Sequence, residues 1–330
     1  MSIEKQSAYD ALPSEHELVS HYQPRFIARG GDHLVYEASE HPDVVIKAST
    51  YKIKDILIDN ETRGLPLDDV SDEMYASLDK EIAEKNTQIQ EYRKYFGAKH
   101  TLAERRYLMQ VPVSTEVLRE IFKNDWEGRA APPGVASIQD AWSAVVVQKR
   151  ARQIEDPNHV GLYFGGFLEE RGYDLSPSEY GHFSEVFEHG DAIQPEDLEE
   201  FFRLQDNPDT HALRDLVLRT EQDPELKKST IDFLQTAIRF ANETGNILAL
   251  AGKDNVILYP GNSGWNYVLI DAIPLPNEPI LTAARAARGR SKNNELLNQK
   301  EEGYIIRARN FVRTINGLAA ALGVEERIRF

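Results

Sequence analysis

The chain has 330 residues, enough for one large two-lobed body or for two to three domains at about 100 to 200 residues each. Its 38 basic side chains against 54 acidic ones leave a formal charge of -16, which argues against generalised binding to nucleic acid or to an anionic membrane. With no cysteine, disulfides and thiolate metal sites are excluded, and no signal-peptide core or run approaching about 18 apolar residues is found, so a cytoplasmic protein is expected.

After a polar start over residues 1–20, Phe26-Ile27-Ala28 and Leu34 to Ala38 read as paired strands around the turn Arg29-Gly30-Gly31-Asp32, and Val44 to Ala48 reads as a third strand. Residues 51–71 are expected to form an inserted loop. Asp72 to Phe96 is rich in helix formers and lacks Gly and Pro; Ile82, Ile89 and Tyr92 give it a narrow apolar stripe, so one long helix closed by Gly97 is predicted. Arg106 to Val113 alternates as a strand, Glu116 to Phe122 fits a short helix, 123–137 is turn-rich, and Ala141 to Val147 reads as a buried strand. Beyond it the composition turns helical, with helices predicted over 195–204, 211–220, 224–242 and 301–322. The expected division is 1–147 and 148–330.

Two segments carry chemistry. The first is the turn at Gly30 and Gly31 followed one strand later by Val44-Val45-Ile46-Lys47. A glycine turn lets backbone approach a phosphate group, and a lysine ammonium supplies a point charge tolerant of small errors of position. The second runs from Leu248 through Asn255 into a short strand, turns at Tyr259 to Gly264, and returns through Trp265 to Ile270 to deliver Asp271. Asn255 and Asp271 carry hard oxygen donors, the kind that divalent cations take. Each segment by itself also reads as an ordinary hairpin with polar turn residues.

In their order along the chain, these pieces resemble the protein-kinase-like superfamily, in a degenerate, pseudokinase-like form, and are also similar to phosphotransferases of the aminoglycoside and choline kinase kind. The resemblance spans residues 22 to 275 as a pattern, with no single motif intact. It implies an α+β, bilobal protein-kinase-like fold, with an antiparallel N-lobe sheet, one long helix and a mainly helical C-lobe. It implies ATP held by Gly30, Gly31 and Lys47, Mg2+ held by Asn255 and Asp271, and a glutamate of the long helix, Glu91 or Glu84 with Glu81 and Gln88 beside them, holding Lys47.

Three departures bear on function. Against G-x-G-x-x-G-x-V, the glycine positions fall on Ala28, Gly30 and His33, followed by Val35, so only the middle one matches. The Asp-Phe-Gly element is Asp271-Ala272-Ile273. The catalytic aspartate, five residues before the Asn, is replaced by Leu250, which leaves Asp254 as the candidate base. The expectation is a nucleotide-binding pseudokinase with a regulatory or scaffold role. The alternatives are an active phosphotransferase with an unconventional base and an interaction protein that binds no nucleotide.

The run Arg285, Arg288, Arg290 and Lys292 is basic within an acidic chain. It reads either as a contact for an acidic or phosphorylated partner, with nucleic acid disfavoured by the overall charge, or as a solvated helix end. His182, Glu185 and His189 share a helical face, but nothing further in their spacing selects a metal. Tyr259 and Trp265 read as packing residues of the hairpin.

Overall fold

The computed structural model describes residues 12–13, 24–29, 33–38, 41–123, 128–162, 186–187, 193–204, 211–250, 255–262, 264–270, 279–293 and 296–330. They divide into two compact units, one of residues 1–90 with 102–150 and one of residues 91–101 with 151–330. The whole is α+β, and no helix among the described residues is long and apolar enough to cross a membrane.

Alternating side chains build the sheet of the first unit. Strands β1 (Pro24–Arg29), β2 (His33–Ala38), β3 (His41–Ser49), β4 (Glu104–Pro112) and β5 (Asp140–Lys149) form an antiparallel sheet in the order β1-β2-β3-β5-β4. Because successive residues of a strand face opposite sides, Leu34, Tyr36 and Ala38 of β2 and Val44, Ile46 and Ala48 of β3 all enter one core. Met109 and Val111 of β4 join Ala141, Val145 and Val147 of β5 in the same core. Edge strand β1 buries none of its described side chains, and its register with β2 shifts between Phe26 and Ala28.

Residues 51–71, expected as a loop, instead carry helix α1 (Thr50–Arg63). Ser49 caps it by accepting from Lys52 N, and Gly64, at φ 70°, closes it by donating to Asn60 O and Glu61 O. Ile53, Ile56, Leu57 and Asn60 are buried at helical spacing, a stripe hidden in the sequence by the charges between them. Helix α2 (Asp72–Phe96) follows, closed by Gly97 at φ 77° as its sequence predicts. Its Leu78 and Ile82 pack with Ile56 and Leu108. Helix α3 (Thr115–Lys123) buries Leu118, Ile121 and Phe122, and a 3-10 turn at Val135–Ser137 lies within the turn-rich stretch.

The second unit is mainly helical. It contains α4 (Pro195–Leu204), α5 (His211–Gln222), α6 (Pro224–Thr244), α7 (Ile280–Lys292) and α8 (Gln299–Ala321), with a three-stranded sheet of β6 (Val160–Gly161), β7 (Val256–Gly261) and β8 (Gly264–Leu269). The basic run of the sequence is the C-terminal part of helix α7. Asp223 caps α6 through Glu225 N and Leu226 N, with Pro224 in the first turn, where its missing N–H is harmless. Phe233, Leu234, Ala237, Ile238 and Ala241 of α6 face Phe311, Val312, Ile315, Leu318 and Ala319 of α8 in one core. The segment 91–101 adds Tyr92 and Phe96 against Phe240, and His100 O accepts from Leu269 N.

Helix α8 is buried without interruption from Asn310 to Ala319. Gly317 belongs to this stretch, and a Cβ there would lie 2.7 Å from Cε2 and 3.0 Å from Cζ of the buried Phe201 ring. In an open helix Gly→Ala gains about 1 kcal/mol, whereas overpacking a core costs about 1–3 kcal/mol, so the clash prevails. Gly317→Ala is expected to lower the urea midpoint. Gly303→Ala on the same helix, where a Cβ meets nothing within 4 Å, is expected to raise it or leave it unchanged.

Candidate functional site

In the first unit, Lys47 sits in the middle of β3, paired with Val35 on one side and Val146 on the other. Since Ile46 and Ala48 enter the core described above, Lys47 lies on the opposite face of the sheet, half-buried. The register continues the row through Val146 to Arg106, and places Glu104 opposite Gln148 one pair further along that face. Gln148 Nε2 donates to Glu104 Oε2 at 2.8 Å, a buried side-chain bond between neighbouring strands.

Helix α2 packs on this face. Its Asn86 accepts from Arg106 N at 3.0 Å and donates to Arg106 O at 3.2 Å, satisfying a backbone pair on edge strand β4. The α2 residues around this contact are Glu81, Lys85 and Gln88. Glu81 pairs with Lys52 of α1 at 2.6 Å. Lys85 is 2% exposed and donates to Gln88 Oε1 at 3.2 Å. Burial, and then the Arg106 cation, lower its pKa to about 8, against the opposing pull of Glu81, Glu104 and Glu84. Glu84 and Glu91, the glutamates named above as holders of Lys47, occupy exposed positions of α2, and Glu91 belongs to the second unit.

In the second unit, the expected hairpin is present as β7 and β8, paired from Val256–Leu269 to Gly261–Gly264. Asn255 extends the pairing by one residue, its main-chain oxygen accepting from Ile270 N at 2.9 Å. Its side-chain Nδ2 donates to Ala249 O at 2.7 Å. That bond fixes the amide so that nitrogen faces the chain and Oδ1, with no partner among the described residues, is left as a hard donor. Leu250 is 1% exposed and belongs to the core of the unit. Gly30, Gly31, Asp254 and Asp271 lie outside the described residues, as do His182, Glu185 and His189.

Of the two aromatic residues expected to pack, Trp265 does, and Tyr259 is half-buried. Trp265 Nε1 donates to Asp223 Oδ2 at 2.7 Å, tying β8 to the cap of α6, with Arg219 over the indole. His100 stacks on Tyr267 at 3.8 Å and places Nδ1 2.7 Å from Tyr267 O, which makes Nδ1 the donor. Of the basic run, Arg285 donates to Arg329 O, Arg288 donates to Phe330 O and lies over its ring, and Arg290 pairs with Glu301. Three of its four cations thus have partners within the chain; Lys292 is exposed. Among the described residues no group of three His, Asp or Glu side chains is placed to hold a metal.

Nothing in the sequence marks Lys85, because a lysine on a polar helix reads as solvated. Its lowered pKa has a definite sign. The unfolded chain binds the proton more tightly than the folded one, so stability rises with pH from about 8 to about 10.5 as the unfolded lysine gives up its proton. Between pH 7.5 and 9.5 this contributes about 2 kcal/mol. Urea unfolding at those two pH values is expected to show that gain in the native chain relative to Lys85→Met, whose own profile is flatter by this amount. An equal pH dependence in the two chains would place the Lys85 ammonium in water.

No protein-family model matches the chain, and no curated protein or solved structure matches it.

Proposed function

We propose that the chain is a nucleotide-binding protein of bilobal, protein-kinase-like build that lacks the usual catalytic aspartate and acts as a regulator or scaffold. In this reading Lys47 is the cation for the ATP phosphates, and Asn255 with Asp271 supplies the oxygens for Mg2+. The observation that carries the reading is Lys47 itself. A lysine held half-buried in the third strand of an antiparallel sheet, with helices α1 and α2 between that strand and β4, supports the comparison with the phosphate-binding lysine of such proteins. The orientation of Asn255, nitrogen tied back and oxygen left over, supports its part.

Leu250 weighs for binding without turnover. At the position where a catalytic base would stand, the side chain is buried in the core, so the loss is one of orientation as well as chemistry. A general base contributes about 10²–10⁴-fold, while positioning and electrostatics carry most of phosphoryl transfer. The active-enzyme alternative therefore rests on Asp254 acting as base. Leu250→Asp would bury a carboxylate and report on stability, so it does not distinguish the two.

Thermal unfolding with ATP and Mg2+ tests the reading. At about 100 times the dissociation constant, a ligand stabilises the folded state by about 2.7 kcal/mol. A magnesium-dependent rise in Tm, lost in both Lys47→Ala and Asp271→Ala, is the expected result. No rise at millimolar ATP would leave an interaction protein without nucleotide. Steady phosphoryl transfer abolished by Asp254→Asn would instead favour the active enzyme.

A further inference from the structure

Residues 324–330 follow α8 and lie against α6 and α7 without belonging to a sheet. Two asparagine side chains do the work of neighbouring strands. Asn316 of α8 accepts from Ile328 N at 2.8 Å and donates to Ile328 O at 3.0 Å. Asn242 of α6 accepts from Arg329 N at 3.2 Å and donates to Arg327 O at 2.9 Å. In extended chain the N–H and C=O of one residue share a side and those of its neighbours oppose them, which is the pattern these four bonds make. Side chains alternate likewise: Ile328 is fully buried, while Arg327 and Arg329 line a cleft beside α6.

That cleft has a volume of about 990 Å³ and gathers four guanidinium groups, those of Arg239, Arg285, Arg327 and Arg329, from α6, α7 and the clamped segment. Arg285 donates through Nε and Nη2 to Arg329 O, and Arg327 donates to Val324 O and Glu326 O, so both are held by main chain. Of the three carboxylates at the cleft, Asp232, Glu243 and Glu326, the last accepts from Gln235 Nε2 at 3.3 Å. Among the described residues no ion pair joins any of them to the four arginines. The four arginines outnumber the three carboxylates by one, and Arg239 and Arg329 have no side-chain hydrogen bond among the described residues, so two guanidinium groups at one cleft are available to an anion.

We propose that this cleft binds the phosphate groups of a small phosphorylated molecule. Guanidinium forks match carboxylate and phosphate alike, but one carboxylate offers two oxygens to donors that come from three elements, whereas a phosphoryl group offers three. The volume is at the upper end of small-molecule sites. The proposal goes beyond the nucleotide reading above, since every residue of the cleft lies in the second unit and none is Lys47, Asn255 or Asp271.

Isothermal titration of the full chain with sodium pyrophosphate, and separately with orthophosphate, in magnesium-free buffer of low ionic strength decides it. Saturable one-site binding is expected, tighter for pyrophosphate and weakened by salt. Arg239→Gln and Arg329→Gln should each weaken it by about tenfold or more, the value of one charge-assisted hydrogen bond. Neither side chain holds anything else among the described residues, so unfolding without ligand should be unchanged. Lys47→Ala should bind pyrophosphate normally even if it abolishes the magnesium-dependent ATP response, so the two proposals stand or fall separately. ADP binding that exceeds pyrophosphate and falls with Arg239→Gln would identify a nucleotide as the source of the phosphate; equal affinities would identify the phosphoryl groups alone. No saturable heat, or binding that survives Arg239→Gln with Arg329→Gln, would overturn the assignment, as would equal loss in Lys228→Gln, on α6 but in the neighbouring cleft.

Discussion

A helix sunk below solvent along ten residues has to find a partner for every polar side chain it carries, because an amide desolvated without one costs about 1–3 kcal/mol. The second unit is arranged around that requirement. Asn316 serves Phe187 O on one side and both main-chain groups of Ile328 on the other, and Thr314 turns back to Asn310 O. Gly317 keeps the helix narrow enough for Phe201 to lie against it. Phe201 of α4 and Ile328 of the segment after α8 both rest on contacts with this one helix.

The first unit meets the same requirement differently. One face of its sheet is mainly apolar, and the other carries a mixed layer in which Gln148 donates to Glu104 and Lys85 to Gln88 while Leu78, Ile82 and Leu108 close off the apolar part. Lys47 belongs to this second face. A lysine there is only partly hydrated, so its charge acts through a medium of lower dielectric than water, and attraction to an anion falls off less steeply than at an open surface.

How much could be read beforehand depended on the range of the interaction. The five strands and the helices α2, α3, α4, α5, α6 and α8 announce themselves by period and by local signals such as the stop at Gly97, which need only neighbours a few residues away. Helix α1 does not, because Lys52, the buried Lys54 and Asp55 break the apolar pattern of Ile53, Ile56 and Leu57, and α7 does not, because Arg285, Arg288 and Arg290 lie among and after the buried Ile280, Leu281, Ala284 and Ala287. Lys47 and the hairpin after Asn255 were legible from order and alternation. Lys85 was not, since its burial is created by β4 and β5, and neither were Asn242 and Asn316, whose partners lie across the fold. Leu250 could be recognised as the wrong residue for a base, but only the fold shows that it faces the core.

The two units are interleaved along the chain, with residues 91–101 of the second preceding the last two strands of the first. During synthesis, β3 must wait through the whole of that excursion before its central neighbour β5 is made, and the rings of Tyr92, Tyr95 and Phe96 emerge long before Phe240 exists to cover them. A cut at residue 150 would therefore not release two intact halves. The C-terminal fragment would lose the carbonyl that pairs with Leu269 and the ring stacked on Tyr267, while the N-terminal one would carry an orphaned apolar end. Co-translational order thus makes the chain a single inseparable unit of biogenesis, although it contains two bodies.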